Sequence, residues 1–235
     1  MPPPGLTRRL VLGAAATAGF AHRVEALAAM HVVLLGDSVF DNAAYVGGGP
    51  DVVRQLRAAL PPGAEATLLA QDGAVTSSVA AQLRNVPPAT SHLIISVGGN
   101  DALGASGILT ERASSVAQVL SRMAEIQDRF RMQYSTMLDA AAQKRLPLAV
   151  CTIYDPRFEN PLQRRLSTLA LFVFNDVITR EAFARGLQLL DLRLICGDDG
   201  DFANPIEPSV QGGQKITAAI VRLVAGEADA RVLAR

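Results

Sequence analysis

Short, wholly apolar runs alternate along this chain with longer stretches whose apolar residues recur every three or four positions. Residues 31–35 (His-Val-Val-Leu-Leu) end at Gly36 and read as a strand buried on both faces. Residues 51–60 carry a helical period and stop at Pro61, Pro62 and Gly63. Residues 66–70 form a second strand pattern, and 76–84 a helix with Thr76 as candidate N-cap. A third apolar run, 92–97, is closed by Gly98 and Gly99. Residues 111–145 hold neither Gly nor Pro, and Val116, Val119, Leu120, Met123, Ile126 and Phe130 recur at helical spacing. Such a stripe is expected to face the core. A fourth strand over 148–153, a helix over 162–185 that Gly186 can stop, a fifth strand over 187–192 and a helix over 210–224 complete the pattern.

Five strands alternating with helices predict a three-layer α/β domain around a five-stranded parallel sheet. In such sheets ligands bind beyond the carboxyl ends of the strands, so chemistry is sought just after each strand.

Composition narrows the chemistry. The chain has 235 residues and is 49% apolar, enough for one domain with a full core. Lys+Arg 22 against Asp+Glu 22 removes any chain-wide argument for nucleic-acid binding. Two cysteines, Cys151 and Cys196, build neither a disulfide framework nor a zinc site. There are only three histidines, His22, His31 and His92.

Residues 1–29 stand apart from residues 30–235. Arg8 and Arg9 precede a weakly apolar run, 10–21, and Ala26, Leu27 and Ala28 resemble a cleavage site. One reading is a twin-arginine-like export signal. The other is a misassigned start, with translation beginning at Met30 inside the cell. The run is too short to span a bilayer.

After the first strand comes Gly36-Asp37-Ser38. After the second comes Gln71-Asp72-Gly73-Ala74, and after the third Gly98-Gly99-Asn100-Asp101. A serine on a strand-to-helix turn presents its hydroxyl at the sheet rim, where amide donors can form an oxyanion hole. Taken in order, these blocks resemble the SGNH (GDSL-like) hydrolase family of esterases and lipases, over about residues 31–224. The resemblance implies a flavodoxin-like sheet and a carboxylic ester substrate. It implies Ser38 as nucleophile, with Gly73, Asn100 and the Ser38 amide as oxyanion donors. No metal or organic cofactor is implied, nor a nucleic-acid partner, nor an integral membrane span.

The family's last block, Asp-x-x-His, departs from its pattern here. Asn204 stands where the aspartate is expected and Glu207 where the histidine is expected. His31 and His92 open parallel strands, about 20 Å from the carboxyl rim. One reading makes Glu207 the general base, its pKa lifted by burial and its carboxylate placed by a hydrogen bond from Asn204. The alternative is an impaired hydrolase fold that binds an ester or a sugar, with Glu207 paired to Arg157 or Arg180. A transferase-like reaction is a third course. Asp155 is a further rim carboxylate, Asp37 and Asp101 are expected to brace loops, and Gly47–Gly49 is a loop that could cover the pocket. Residues 198–201 look like a solvated turn and not a calcium loop.

Overall fold

The computed structural model describes residues 30–226 and 232–233. The proposed signal or misassigned start, 1–29, lies outside them.

Strands β1 (His31–Gly36), β2 (Glu65–Leu68), β3 (His92–Ser96), β4 (Leu148–Cys151) and β5 (Gln188–Leu190) are the five expected ones, all parallel. A sixth, β6 (Val232–Leu233), adds a two-residue edge beside β5, giving the order β2-β1-β3-β4-β5-β6. The chain leaves β1 for β2 on one side and reaches β3 on the other. The loops after β1 and β3 therefore part, and a crevice opens at their carboxyl ends.

Helices cover both faces. On one lie α1 (Val52–Ala59) and the closing helix α7 (Val210–Val224). On the other lie α2 (Val79–Leu83), α4 (Val116–Ala142) and α5 (Pro161–Ala184). Two short helices escape the periodicity, α3 (Gly99–Gly104) and α6 (Leu192–Ile195). Alternation along β1 feeds two cores. Val32 and Leu34 pack with Val52, Leu56, Ile216 and Ile220. Val33 and Leu35 pack with Ile95, Phe130, Leu138 and Ile178.

Capping residues set the helix ends. Asp51, Ser115, Asn160 and Ser209 each accept a hydrogen bond from a backbone N–H in the first turn of α1, α4, α5 and α7. Thr76 is not a cap: the helix begins with a 3-10 turn at Thr76–Ser78, and the Thr76 hydroxyl is used elsewhere.

The α4 stripe is corrected in its first half. Phe130 is buried, but Val116 is 76% and Leu120 59% exposed. The helical period marks an apolar face without saying what covers it. Here the core begins only where α5 and the sheet reach α4, near Phe130.

Candidate active site

β1 ends at Gly36 and the chain turns through residues 37–40. The amides of Phe40 and Asp41 both donate to the Asp37 carbonyl at 3.2 Å, so the Ser38 amide takes no part in those two bonds. Gly36 has φ +120°, and a Cβ there would lie 1.7 Å from the Ser96 carbonyl oxygen. Only glycine lets β3 come this close. The buried side-chain amide of Gln82 holds Gly36 on both sides. The Gly36 N–H donates to Oε1 at 2.7 Å, and Nε2 donates to the Gly36 carbonyl at 2.8 Å.

The loops after β2 and β3 are tied to this turn and to each other. The Asp72 N–H donates to Asp41 Oδ2 at 2.9 Å, and Gly73 follows with φ +75°. Asp101 Oδ2 accepts from both the amide and the hydroxyl of Thr76, at 2.9 and 3.0 Å. Asn100, in the first turn of α3, donates from Nδ2 to the Ala74 carbonyl at 3.0 Å. That bond uses one of two amide hydrogens and orients the other.

Glu207 arrives from the loop before α7. Its carboxylate Oε1 accepts a hydrogen bond from the Ser38 hydroxyl at 3.0 Å. Its Oε2 is buried and has no hydrogen-bond partner. Neighbours hold this loop from several sides. Tyr154 Oη donates to the Ile206 carbonyl at 2.5 Å, the Arg157 N–H to the Pro205 carbonyl at 2.7 Å, and Asn42 Nδ2 to the Pro208 carbonyl at 3.1 Å.

Asn204 acts differently from the expectation. Its Oδ1 accepts the backbone N–H groups of Ile206 and Glu207 at 2.9 and 3.0 Å. It shapes the turn that carries Glu207 and gives no hydrogen bond to the unpartnered Oε2. An aspartate could make the same two bonds, since both are accepted by a side-chain oxygen.

Burial pushes the Glu207 pKa up to about 7; the Ser38 hydroxyl works against this and the charge of Asp72 adds to it. Asp37 is pushed up further, to about 8, by burial; its Val39 amide bond opposes this, and the charges of Glu207 and Asp101 reinforce it. At neutral pH Asp37 is thus mainly a neutral acid. It braces the turn by accepting the Val39 N–H at 3.2 Å.

The arginines do not reach Glu207. Arg157 pairs with Asp199 at 3.1 Å and lies over the Phe202 ring, while Arg180 pairs with Asp176 at 2.8 Å. Burial raises the Asp155 pKa against the pull of Arg157 and Arg193, and Asp155 is not on the cavity wall. His31 and His92 sit at the other rim. His31 Nε2 meets Thr67 Oγ1 at 2.8 Å and His92 Nδ1 meets Ser91 Oγ at 2.9 Å.

The 198–201 stretch is not simply solvated. Asp201 is fully buried against Lys215 at 2.7 Å, and Asp199 is paired to arginine. Cys196 is buried at the end of α6. Among the described residues, no group of three or more His, Cys, Asp or Glu side chains could hold a metal ion.

Ser38, Asn100 and Glu207 form part of the wall of a cavity of about 660 Å³; Gly73, Asn204 and the Gly47–Gly49 loop do not line it. The rest is mostly apolar and comes from α3 to α5, with Leu103, Met123, Ile126, Phe158, Leu166 and Phe174. Sequence reading missed Gln82, Tyr154 and Asn42 as supports. Asn42 follows the serine turn directly, yet nothing local marks its partner 166 positions away.

Solved structures share this fold. An extracellular lipase from Streptomyces rimosus is 20% identical, with a TM-score of 0.60, covering 83% of this chain and 99% of that one. A phospholipase A1 from Streptomyces albidoflavus is 18% identical, with a TM-score of 0.61, covering 85% and 99%. A lipase/acylhydrolase from Enterococcus faecalis is 19% identical, with a TM-score of 0.61, covering 84% and 96%. No curated protein sequence matches the chain. The sequence profile that does match runs from residue 34, inside β1, to residue 215, inside α7, and so takes in every loop of the crevice. On that match the chain belongs to the GDSL-like lipase/acylhydrolase family.

Proposed function

We propose that the protein hydrolyses carboxylic esters with an apolar acyl group through a Ser38–Glu207 dyad. Family membership supports an ester hydrolase; that this chain is catalytically competent, the serine mechanism and its carboxylate base are our reading. The observation that carries it is the 3.0 Å hydrogen bond from the Ser38 hydroxyl to Glu207 Oε1, on the wall of the apolar cavity.

An ordinary carboxylate, with a pKa of about 4.3, is a weak base toward a serine hydroxyl. A glutamate at about 7 is matched to the task near neutral pH. Ser38 Oγ attacks the ester carbonyl as its proton passes to Glu207. The oxyanion forms beside the Ser38 amide and the second Asn100 Nδ2 hydrogen, both on the cavity wall; Gly73 is not on that wall, and its amide as a third donor rests on the resemblance alone. The intermediate collapses, the C–O bond to the alcohol breaks, and Glu207 returns the proton to the leaving oxygen. Water then repeats the sequence on the acyl-serine: it gives a proton to Glu207, and Ser38 recovers that proton as the acid leaves. The buried Oε2 has no hydrogen-bond partner, so Oε1, which already holds the Ser38 hydroxyl, is the oxygen that takes and returns the proton. The cavity lies inside the range of about 300–1,000 Å³ usual for small-molecule sites, and its α4–α5 wall suits an acyl chain.

A fluorophosphonate probe tests the reading directly. The expected result is one covalent label, on Ser38, that disappears in Ser38→Ala. A folded protein that stays unlabelled contradicts a nucleophilic serine and favours a binding role.

A further inference from the structure

The cavity does not end at its walls. Leu103, Leu109, Leu162 and Leu166 line it and are also 38–65% exposed. Val116 and Leu120 extend the rim outward. They precede the cavity-lining Met123 by seven and three positions, so all three share one face of α4. Neither Val116 nor Leu120 touches the cavity, yet both are more than half exposed. Single exposed aliphatic residues are ordinary; six around one opening, five leucines and a valine, make a patch of the kind that marks an interaction surface.

Charge beside the patch points to the partner. Arg112 stands between Leu109 and Val116 in sequence, and Arg165 between Leu162 and Leu166. Both are exposed, and neither has a carboxylate partner among the described residues. The nearby Glu111 is taken up by Arg122 at 2.6 Å, and Glu125 falls on the side of α4 opposite Val116. Glu159, before α5, is exposed and has no ion-pair partner among the described residues.

We infer that this rim docks the protein on an anionic lipid surface, from which an acyl chain enters the cavity without crossing bulk water. The inference rests on the ester-hydrolase reading for its substrate, but docking itself needs no chemistry. The rim leucines would enter the acyl region while Arg112 and Arg165 meet lipid phosphates, the arrangement by which interfacial segments hold to membranes. Arginine is suited to this because its planar guanidinium engages phosphate in pairs of hydrogen bonds.

The test uses Ser38→Ala, so that no lipid is consumed, with vesicles of phosphatidylglycerol and, separately, phosphatidylcholine. The expected result is co-sedimentation with phosphatidylglycerol at least about tenfold stronger than with phosphatidylcholine, weakening as salt rises. Val116→Glu combined with Leu120→Glu should lose about tenfold or more of that binding. In the active enzyme the same pair should leave hydrolysis of a short, soluble nitrophenyl ester unchanged. Absence of binding to phosphatidylglycerol overturns the inference, as does binding indifferent to the paired variant. Light scattering that shows a dimer abolished by Leu120→Glu also overturns it, assigning the patch to a second copy. Failure of the fluorophosphonate label would strike the hydrolase reading alone, since docking is measured without Ser38.

Discussion

Glu207→Gln is expected to lower kcat/KM for a soluble ester by about 10²–10⁴-fold, the usual scale for removing a positioned general base. Glutamine keeps the length of the side chain and can still accept the Ser38 hydroxyl, but it cannot take the proton. The same variant should be more stable than the wild type at alkaline pH. A carboxyl whose folded pKa is raised binds its proton more tightly in the native state than in the unfolded chain. Between about pH 4.5 and 7 the native state therefore holds more protons, and stability falls as pH rises through that window. The penalty is complete above about 7 and absent below about 4.5. Allowing for the solvent that reaches the site, it is about 1–3 kcal/mol, or about 3–8 °C in Tm. Thermal unfolding at about pH 8 and about pH 4.5 checks this, with Glu207→Gln ahead only at the higher pH. A less active, more stable variant is what a site holding a strained charge for chemistry should give.

Gly36→Ala is expected to be the most damaging single methyl in the protein, costing about 4 kcal/mol or more. The added Cβ meets the backbone oxygen of Ser96, so no rotamer change relieves it. Gly36 pairs with Ser96 between β1 and β3, and that register positions the serine turn. The outcome is a Tm fall of about 10 °C or more, or no soluble protein. Gly47→Ala is the control: it also has positive φ, but open space surrounds it, and about 1 kcal/mol is expected. Equal stability of the two variants would show that the β1–β3 contact is not tight.

Strands β1, β3 and β4 were legible because a parallel strand covered on both faces must be a nearly continuous apolar run, as His31–Gly36, His92–Ser96 and Leu148–Cys151 are. Helices α1, α5 and α7 fall within a residue or two of their periodic stretches, fixed by Asp51, Asn160 and Ser209 as caps. What was hidden is short or tertiary. α3 has six residues and begins with a glycine, and β6 has two residues. Neither offers a period to detect. The α4 stripe was visible as apolar, but whether core, cavity or solvent faced it depended on where α5 packs. Ser38 and Asn100 could be named from their places after the strands, and Glu207 from standing where the resembled family has its histidine. The contacts that hold them could not. Gln82 reaches Gly36 across 46 positions and Tyr154 reaches Ile206 across 52. Asn204 was recognised as a neighbour of Glu207, but only the geometry shows it gripping backbone N–H groups instead of the carboxylate.

The most direct measurement is the pH dependence of kcat/KM for a short nitrophenyl ester, from about pH 5 to about pH 9, in the wild type and in Ser38→Ala. The account predicts Ser38-dependent turnover that rises with pH through one ionisation near 7, where Glu207 loses its proton. A rate equal to that of Ser38→Ala, or a Ser38-dependent rate that stays flat across neutral pH, would contradict a glutamate base.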